Sequence, residues 1–206
     1  MQITQHPQEP LGASGFTPIP TRIRDVPPLI VEPEAAADPN LRDQVMTQLH
    51  ELATNMARTH RAAAEAYLSQ GAYPEALSHL EACVTFAPEE SEYHNQLGYV
   101  RYIQGDDRGA VESFEHVLSR TGDNPDSLFN LGMVLFGQGD HMRAEDCFRR
   151  AIECGRPDAE LWNNRGVCLH QMGCAEEGRA CFQRALELDA NNEDAVANLQ
   201  AVGTAV

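Results

Sequence analysis

The fold is decided by residues 125–158, which read PDSLFNLGMVLFGQGDHMRAEDCFRRAIECGRPD and belong to a pattern that repeats every 34 residues. Five registers share this period, and each holds residues of one kind. They are a glycine (Gly71, Gly105, Gly139, Gly173), a small residue (Ala64, Gly98, Gly132, Gly166), a second small residue (Ala76, Ala110, Ala144, Gly178), a bulky apolar residue (Leu80, Phe114, Phe148, Phe182) and a small or branched residue (Cys83, Val117, Ala151, Ala185). A fixed period of this length indicates a stack of similar structural units.

Each unit divides into two predicted helices. Leu128, Leu131 and Leu135 share one face at 100° per residue, which predicts the packed side of a first helix. Asn124 before Pro125 is typical of an N-cap followed by proline at the first helical position. The repeated glycine predicts the end of this helix, because its freedom to take positive φ suits a C-terminal cap. The small residues in both halves allow two helices to approach closely, and the bulky residue fills the remaining gap.

This pattern resembles the tetratricopeptide repeat (TPR) family. The resemblance implies an all-α, right-handed solenoid of antiparallel helix pairs, with four units at residues 57–90, 91–124, 125–158 and 159–192. Two family features are thinly represented: the tryptophan of the first helix occurs only as Trp162, and the closing proline only as Pro88. Arg165 and Arg156 stand where the family has an aliphatic residue and that proline.

The segments outside the repeats differ in composition. Residues 1–38 hold seven of the 12 prolines without periodicity, which predicts a disordered tail. Within this tail, residues 16–33 (FTPIPTRIRDVPPLIVEP) are more apolar than a tether requires, so a docking motif is the alternative. An apolar stripe in residues 39–56 predicts an N-terminal capping helix. Residues 193–206 predict a C-terminal capping helix and tail, with Asn192 as N-cap and with Val196 and Leu199 facing inward.

Charge and cysteine usage narrow the function class. A net charge of −16 disfavours nucleic acid and anionic membranes as partners. All 15 cationic side chains are arginines. The six cysteines lack CxxC spacing, so we expect buried reduced thiols, with a metal or redox role as the alternative. Reduced thiols, the absence of a membrane-length apolar stretch and the lack of a signal peptide predict a cytoplasmic protein.

The resemblance implies that the first helices line a concave groove, and that their sixth position faces it. This position carries Gln96, Asn130 and Asn164, whose carboxamides can pair with both halves of a peptide unit. Similar asparagine ladders line the TPR superhelix of O-linked N-acetylglucosamine transferases, although asparagine is also common there across the family. The same face carries further candidates for contacts with a partner protein: Asn95, Tyr99, Phe129, Met133, Asn163 and His170. The face also carries Val167, Tyr102 and Phe136, of which Tyr102 and Phe136 can instead pack between repeats.

No nucleophile motif, metal-ligand spacing or phosphate-binding loop is present in the sequence. We therefore expect no enzyme activity, cofactor, metal or small-molecule substrate. The sequence favours a non-enzymatic adaptor that binds an extended segment of a partner protein. A lysine-based clamp for chaperone C-termini is excluded, because the chain has no lysine. The alternatives are a dedicated chaperone for a secreted protein, similar to the TPR chaperones of type III secretion, and a regulatory module whose groove is occupied by residues 16–33.

Overall fold

The computed structural model describes residues 39–203, and residues 40–202 with their side chains. The predicted disordered tail (1–38) and the last three residues lie outside this range. Within it the chain forms nine α-helices and no strand. They are α1 (Pro39–Ser69), α2 (Tyr73–Phe86), α3 (Ser91–Ile103), α4 (Asp107–Thr121), α5 (Pro125–Gly137), α6 (His141–Glu153), α7 (Ala159–Gln171), α8 (Ala175–Leu188) and α9 (Glu193–Gly203).

The helices pack in chain order. The most extensive contacts join α1 to α2, α3 to α4, α5 to α6 and α7 to α8, and each pair also packs on the next one. Short connections between consecutive helices place them antiparallel. The predicted all-α solenoid of helix pairs is therefore confirmed, whereas the boundaries assigned to the individual repeats stay a prediction.

A glycine ends the first helix of each pair. The φ angles of Gly71, Gly105, Gly139 and Gly173 are 71°, 79°, 80° and 83°. This left-handed backbone lets the amides after the helix bond back to it: in the third pair, the N–H of Asp140 donates to the carbonyl of Leu135 at 3.0 Å. The chain thus reverses within three residues, which brings the second helix alongside the first.

A glycine–phenylalanine contact sets the spacing inside three of the pairs. A Cβ atom added at Gly132 would lie 2.5 Å from a ring carbon of Phe148, whose side chain is fully buried. Gly98 meets Phe114 and Gly166 meets Phe182 in the same way. The first pair has Ala64 and Leu80 at these places, both fully buried. The extra methyl group of the alanine is accommodated because the opposing side chain is smaller.

The first helix is longer than its partner. α1 is one continuous helix of 31 residues that runs without a break through residue 56. α2 ends at Phe86, which clusters with Ala57 while Ala53 and Met56 pack against it. The N-terminal half of α1 therefore projects beyond α2, and Met46 and Leu52 are 59% and 45% exposed.

The last helix closes the other end of the stack. The predicted N-cap is present, since the Asn192 Oδ1 accepts a hydrogen bond of 2.8 Å from the N–H of Ala195. The predicted inward position of Val196 is wrong, because this side chain is 37% exposed. Ala195 and Val202 are buried instead. These two residues are seven apart, which is two helical turns, whereas Val196 is rotated by about 100° from Ala195.

Candidate binding surface on the first helices

The first helices of successive pairs lie side by side and form a surface turned away from the second helices. We call the surface of α3, α5 and α7 on this side the inner wall. Three side-chain contacts link neighbouring helices along it. Ser127 Oγ donates to Asn95 Oδ1 at 3.2 Å, Asn164 Nδ2 lies 3.5 Å from Met133 Sδ, and Asn198 Nδ2 donates to Asn163 Oδ1 at 2.9 Å. The wall is therefore continuous from α3 to α9.

A row of half-buried carboxamides runs along this wall. Gln96 Nε2 donates to Glu92 at 3.0 Å, while its Oε1 is buried without a partner among the described residues. Asn130 makes no side-chain hydrogen bond within the described range. The only polar contact of Asn164 there is the weak one to a thioether sulfur. All three amides thus retain unused hydrogen-bonding capacity.

Two other predicted candidates have structural partners. The Asn163 side chain is 6% exposed and its oxygen accepts from Asn198, which fixes α7 against α9. Asn95 plays the equivalent part between α3 and α5 through Ser127. A residue one position before the amide row points into the seam between helices, because it is rotated by about 100°.

Phe129 is covered on one face. The guanidinium of Arg156 lies 4.1 Å from the centroid of its ring, and the Phe148 ring lies behind it at 6.2 Å. Arg156 is held there by Asp126 at 3.2 Å and by Asp158 at 2.9 Å. The sequence predicted Phe129 as a residue that contacts a partner and did not predict that Arg156 covers its ring. The signal available in the sequence was the repeat position of Arg156, at which the family has a proline.

The wall contains a small apolar cavity between α5 and α7. Met133, Phe136, Asn164 and Val167 line about 80 Å³ of space. The sequence places Phe136 and Val167 on this face, with packing between repeats as the alternative for Phe136. Val167 occupies the same register as Tyr99 and Met133, so the 34-residue period was the signal that identifies it. The cavity presents three apolar side chains and one amide to any molecule that approaches the wall.

The remaining candidates are open to solvent. Tyr99 is 49% exposed, and His170 is exposed at the C-terminal end of α7. Carboxylates stand along one edge of the wall at Glu92, Asp126 and Glu160, while Arg58 lies at the corresponding place on α1. The nearby Arg61 is paired with Glu65 at 2.7 Å. The described part of the wall is therefore acidic along this edge, except at its N-terminal end.

Two further observations concern metal binding and membrane insertion. In the part of the chain that the structure covers, no three His, Cys, Asp or Glu side chains converge in a way that would hold a metal ion. None of the helices from α1 to α9 has the length and apolar character needed to cross a membrane. The inner wall, with its amides and its cavity, is the principal candidate site of the described residues.

Comparison with known families gives a consistent result. Three tetratricopeptide repeat models match the chain, at residues 61–127, 125–153 and 159–192. The chain belongs to the tetratricopeptide repeat family. A comparison of this TPR protein with curated protein sequences finds no significant match.

Solved structures share the TPR fold. MamA from Desulfovibrio magneticus RS-1, solved from its residue 41 to its end, superposes with a TM-score of 0.68 at 22% identity, covering 71% of this chain and 83% of that one. YrrB, described as a TPR protein with an unusual peptide-binding site, gives 0.61 at 23% identity over 73% and 74% of the two chains. The first TPR of Spaghetti (RPAP3), bound to the HSP90 peptide SRMEEVD, gives 0.54 at 21% identity over 56% and 91%. At these identities the likeness establishes the architecture of this TPR protein.

Proposed function

We propose that this TPR protein is a non-enzymatic adaptor that binds an extended segment of a partner protein along the inner wall. Membership of the TPR family supports a role in protein–protein interaction. The ligand backbone would pair with the amides of Gln96, Asn130 and Asn164. Apolar ligand side chains would contact Tyr99 and Met133.

The observation that carries this proposal is the cavity beside Asn164. An aliphatic side chain placed between Met133, Phe136 and Val167 would bury apolar surface that is now open. At the rim, Asn164 offers both a donor and an acceptor to the backbone of the same ligand residue. Asn130 lies on α5, the first helix of the preceding pair, and its carboxamide makes no hydrogen bond among the described residues. An extended chain can therefore be held by its main chain and selected by one side chain.

The ligand is expected to be neutral or basic rather than acidic. RPAP3 and YrrB show that TPR domains of similar fold bind peptides, and the RPAP3 peptide SRMEEVD is acidic. Here the edge of the wall carries Glu92 and Asp126, and no lysine is available. Asp126 is already neutralised by Arg156, whereas Glu160 has no ion-pair partner among the described residues. An acidic peptide would be repelled by this edge.

We also propose a cytoplasmic location and the absence of catalysis. Cys83, Cys147, Cys168 and Cys181 are buried free thiols. Burial raises the pKa of these thiols, to about 12 for Cys168, which makes them unreactive at neutral pH. Persistent free thiols are typical of a reducing compartment.

The proposal is tested by selecting peptides from a displayed random library on the native protein and measuring their affinity for a double variant, Asn130→Ala with Asn164→Ala. Loss of two backbone-pairing amides at about 1 kcal/mol each predicts a Kd at least tenfold weaker. The melting temperature should stay within a few degrees of the native value, because Asn130 makes no side-chain hydrogen bond among the described residues and Asn164 makes only a weak one, to the Met133 sulfur.

A matched control is the double variant Asn191→Ala with Gln183→Ala, which removes two exposed carboxamides away from the inner wall. This variant should bind the selected peptides as the native protein does. Equal affinity of the native protein and the Asn130/Asn164 variant would contradict the proposed role of the amides. Unfolding of that variant would show that the assignment of helix faces is wrong.

A further inference from the structure

The projecting half of α1 carries an apolar surface that no described helix covers. Leu41, Val45 and Leu49 are half-buried along one stripe of this helix, and Met46 and Leu52 beside them are exposed. Together with Ala53, Met56 and Phe86, residues of this region line an open cavity of about 320 Å³. We call this surface the α1 shelf. Its area is too apolar to be an ordinary solvated helix face.

The chain itself supplies a segment with matching chemistry close by. Residues 26–31, VPPLIV, carry no charge and end in three consecutive branched aliphatic side chains. The shelf cavity is likewise lined without any carboxylate or arginine, and the titratable side chain in its lining, His50, is exposed to solvent. Burying one against the other therefore removes apolar surface from water and leaves no charge without solvent.

The length of the connection is sufficient. Seven residues, Glu32 to Asp38, separate this segment from the first residue of α1, and they can span up to about 25 Å when extended. The helical distance from Pro39 to Met56 is also about 25 Å, at 1.5 Å per residue. Every residue of the shelf is thus within reach of a chain that folds back along α1.

The tether also favours this segment over other occupants. A connection of seven residues gives an effective concentration on the order of millimolar, so a weak contact is sufficient to keep the surface covered. A second copy has no such advantage, and two chains that each carry a charge of −16 repel one another. Pro27 and Pro28 further restrict the unbound backbone, which lowers the entropy lost on docking.

We propose that residues 26–31 dock on the α1 shelf of the same molecule and form an additional N-terminal cap of the solenoid. Leu29, Ile30 and Val31 would lie between the α1 stripe and Phe86. This contact is independent of ligand binding on the inner wall. It also differs from occlusion of the inner wall by the tail, because the shelf is formed by α1 and Phe86 whereas the inner wall is formed by α3, α5 and α7.

The test uses the full chain with the photo-crosslinking residue p-benzoylphenylalanine in place of Ile30. Irradiation should give a product of monomer mass whose crosslinks map to residues 45–56 or to Phe86. The same residue in place of Leu11, which lies in the same tail outside the segment, is the matched control and should give at least about tenfold less of this product. A product of dimer mass would show that a second copy covers the shelf. Crosslinks to Tyr99 or Met133 would show that the segment occupies the inner wall, and either result overturns the proposal.

A second measurement does not depend on the crosslinker. Amide hydrogen exchange in residues 42–56 should become about tenfold faster in the full-length variant Leu29→Asp with Ile30→Asp, because the cap no longer stabilises this part of α1. The variant Leu11→Asp with Phe16→Asp is the control and should exchange like the native chain. Unchanged exchange in the Leu29/Ile30 variant would overturn the proposal.

Discussion

At the scale of single residues, the cysteines illustrate how burial controls chemistry. Cys83, Cys147, Cys168 and Cys181 are buried, whereas Cys154 is exposed and Cys174 is half-buried. Removal from water disfavours the thiolate and raises the pKa of Cys83 and of Cys147 to about 11. These side chains fill places in the repeat that require small apolar residues, and their packing explains their presence.

We therefore predict strongly uneven alkylation of the native protein. With iodoacetamide at pH 8, Cys154 and Cys174 should be modified first. Cys83, Cys147 and Cys168 should react at least about a hundredfold more slowly, because a thiol with a pKa near 11 is ionised to roughly one part in a thousand at this pH. Burial also raises the pKa of Cys181, so this thiol should react slowly as well. Mass spectrometry of the digested protein gives the rate at each site. In denaturant all six should react alike, which is the control. Fast modification of Cys168 in the native state would contradict this picture.

At the scale of the helix pair, glycine and phenylalanine are coupled across the interface. The ring of Phe148 is fully buried and cannot move away from a methyl group added at Gly132, which would lie at 2.5 Å. In the first pair, Ala64 and Leu80 occupy these two positions and are both fully buried, so a larger residue on one helix faces a smaller one on the other. The two positions thus vary together, since the volume gained on one helix has to be lost on the other.

We predict that Gly132→Ala lowers the free energy of unfolding by about 1–3 kcal/mol through overpacking, although alanine is the better helix former. Phe148→Ala should cost about 3–5 kcal/mol by opening a cavity. The double variant Gly132→Ala with Phe148→Leu should be more stable, by at least about 1 kcal/mol, than the summed effects of Gly132→Ala alone and Phe148→Leu alone predict. Denaturant unfolding of the native protein and these variants measures this coupling.

Gly137→Ala is a matched control, because a Cβ atom there has no neighbour within 4 Å among the described residues. It should leave stability within about 1 kcal/mol of the native value. Strict additivity of the Gly132 and Phe148 changes would show that the two side chains are not in steric contact.

At the scale of the whole molecule, neighbouring repeats are tied by ion pairs as well as by apolar contacts. Arginines on the second helices pair with carboxylates of the preceding repeat. These pairs are Arg120 with Glu89, Arg143 with Glu115 and Arg150 with Asp123. At least 35% of each of these side chains is exposed, so each pair contributes little on its own. Their repetition fits a solenoid, whose stability is a sum over units and interfaces.

Two histidine pairs are packed within the stack, and one member of each pair has a lowered pKa. His60 and His94 stand at the place of the family tryptophan, and each meets a second histidine: His60 Nδ1 lies 2.8 Å from His79 Nδ1, and the His94 and His116 rings stack at 3.9 Å. Burial lowers the pKa of His79, with a further contribution from His60. Burial also lowers the pKa of His94, where His116, Arg120 and Arg101 act in the same direction and the Pro88 carbonyl opposes them.

A lowered histidine pKa means that the unfolded chain binds more protons below its own pKa of about 6.5. We predict that stability is constant above pH 7 and falls progressively between pH 6.5 and 5, by at most about 1.4 kcal/mol per pH unit for each histidine. His94→Leu, which introduces the residue type that Leu128 supplies at the same place in the third repeat, should flatten this dependence. Thermal melts across the pH range measure the slope.

Leu97→Val is the control for that variant, because it weakens the same repeat at a buried position that does not titrate. It should lower the melting temperature by a similar amount at every pH. If His94→Leu leaves the slope unchanged, the titration of His94 does not contribute to it.

The sequence by itself determined the architecture, because each repeat presents the same requirements for glycine, small residues and a bulky apolar side chain at fixed spacing. It also predicted the caps at Asn124 and Asn192, whose hydrogen bonds are local. Tertiary structure decided which residues of the wall are available. Asn163 lies in the seam with Asn198, and Phe129 lies beneath Arg156, because of neighbours about one repeat away in the chain. Val196 points away from the core because of the rotation of α9 about its axis. The unsupported projection of α1 beyond Phe86 likewise follows from where α2 ends, and no local sequence pattern specifies the opposing surface.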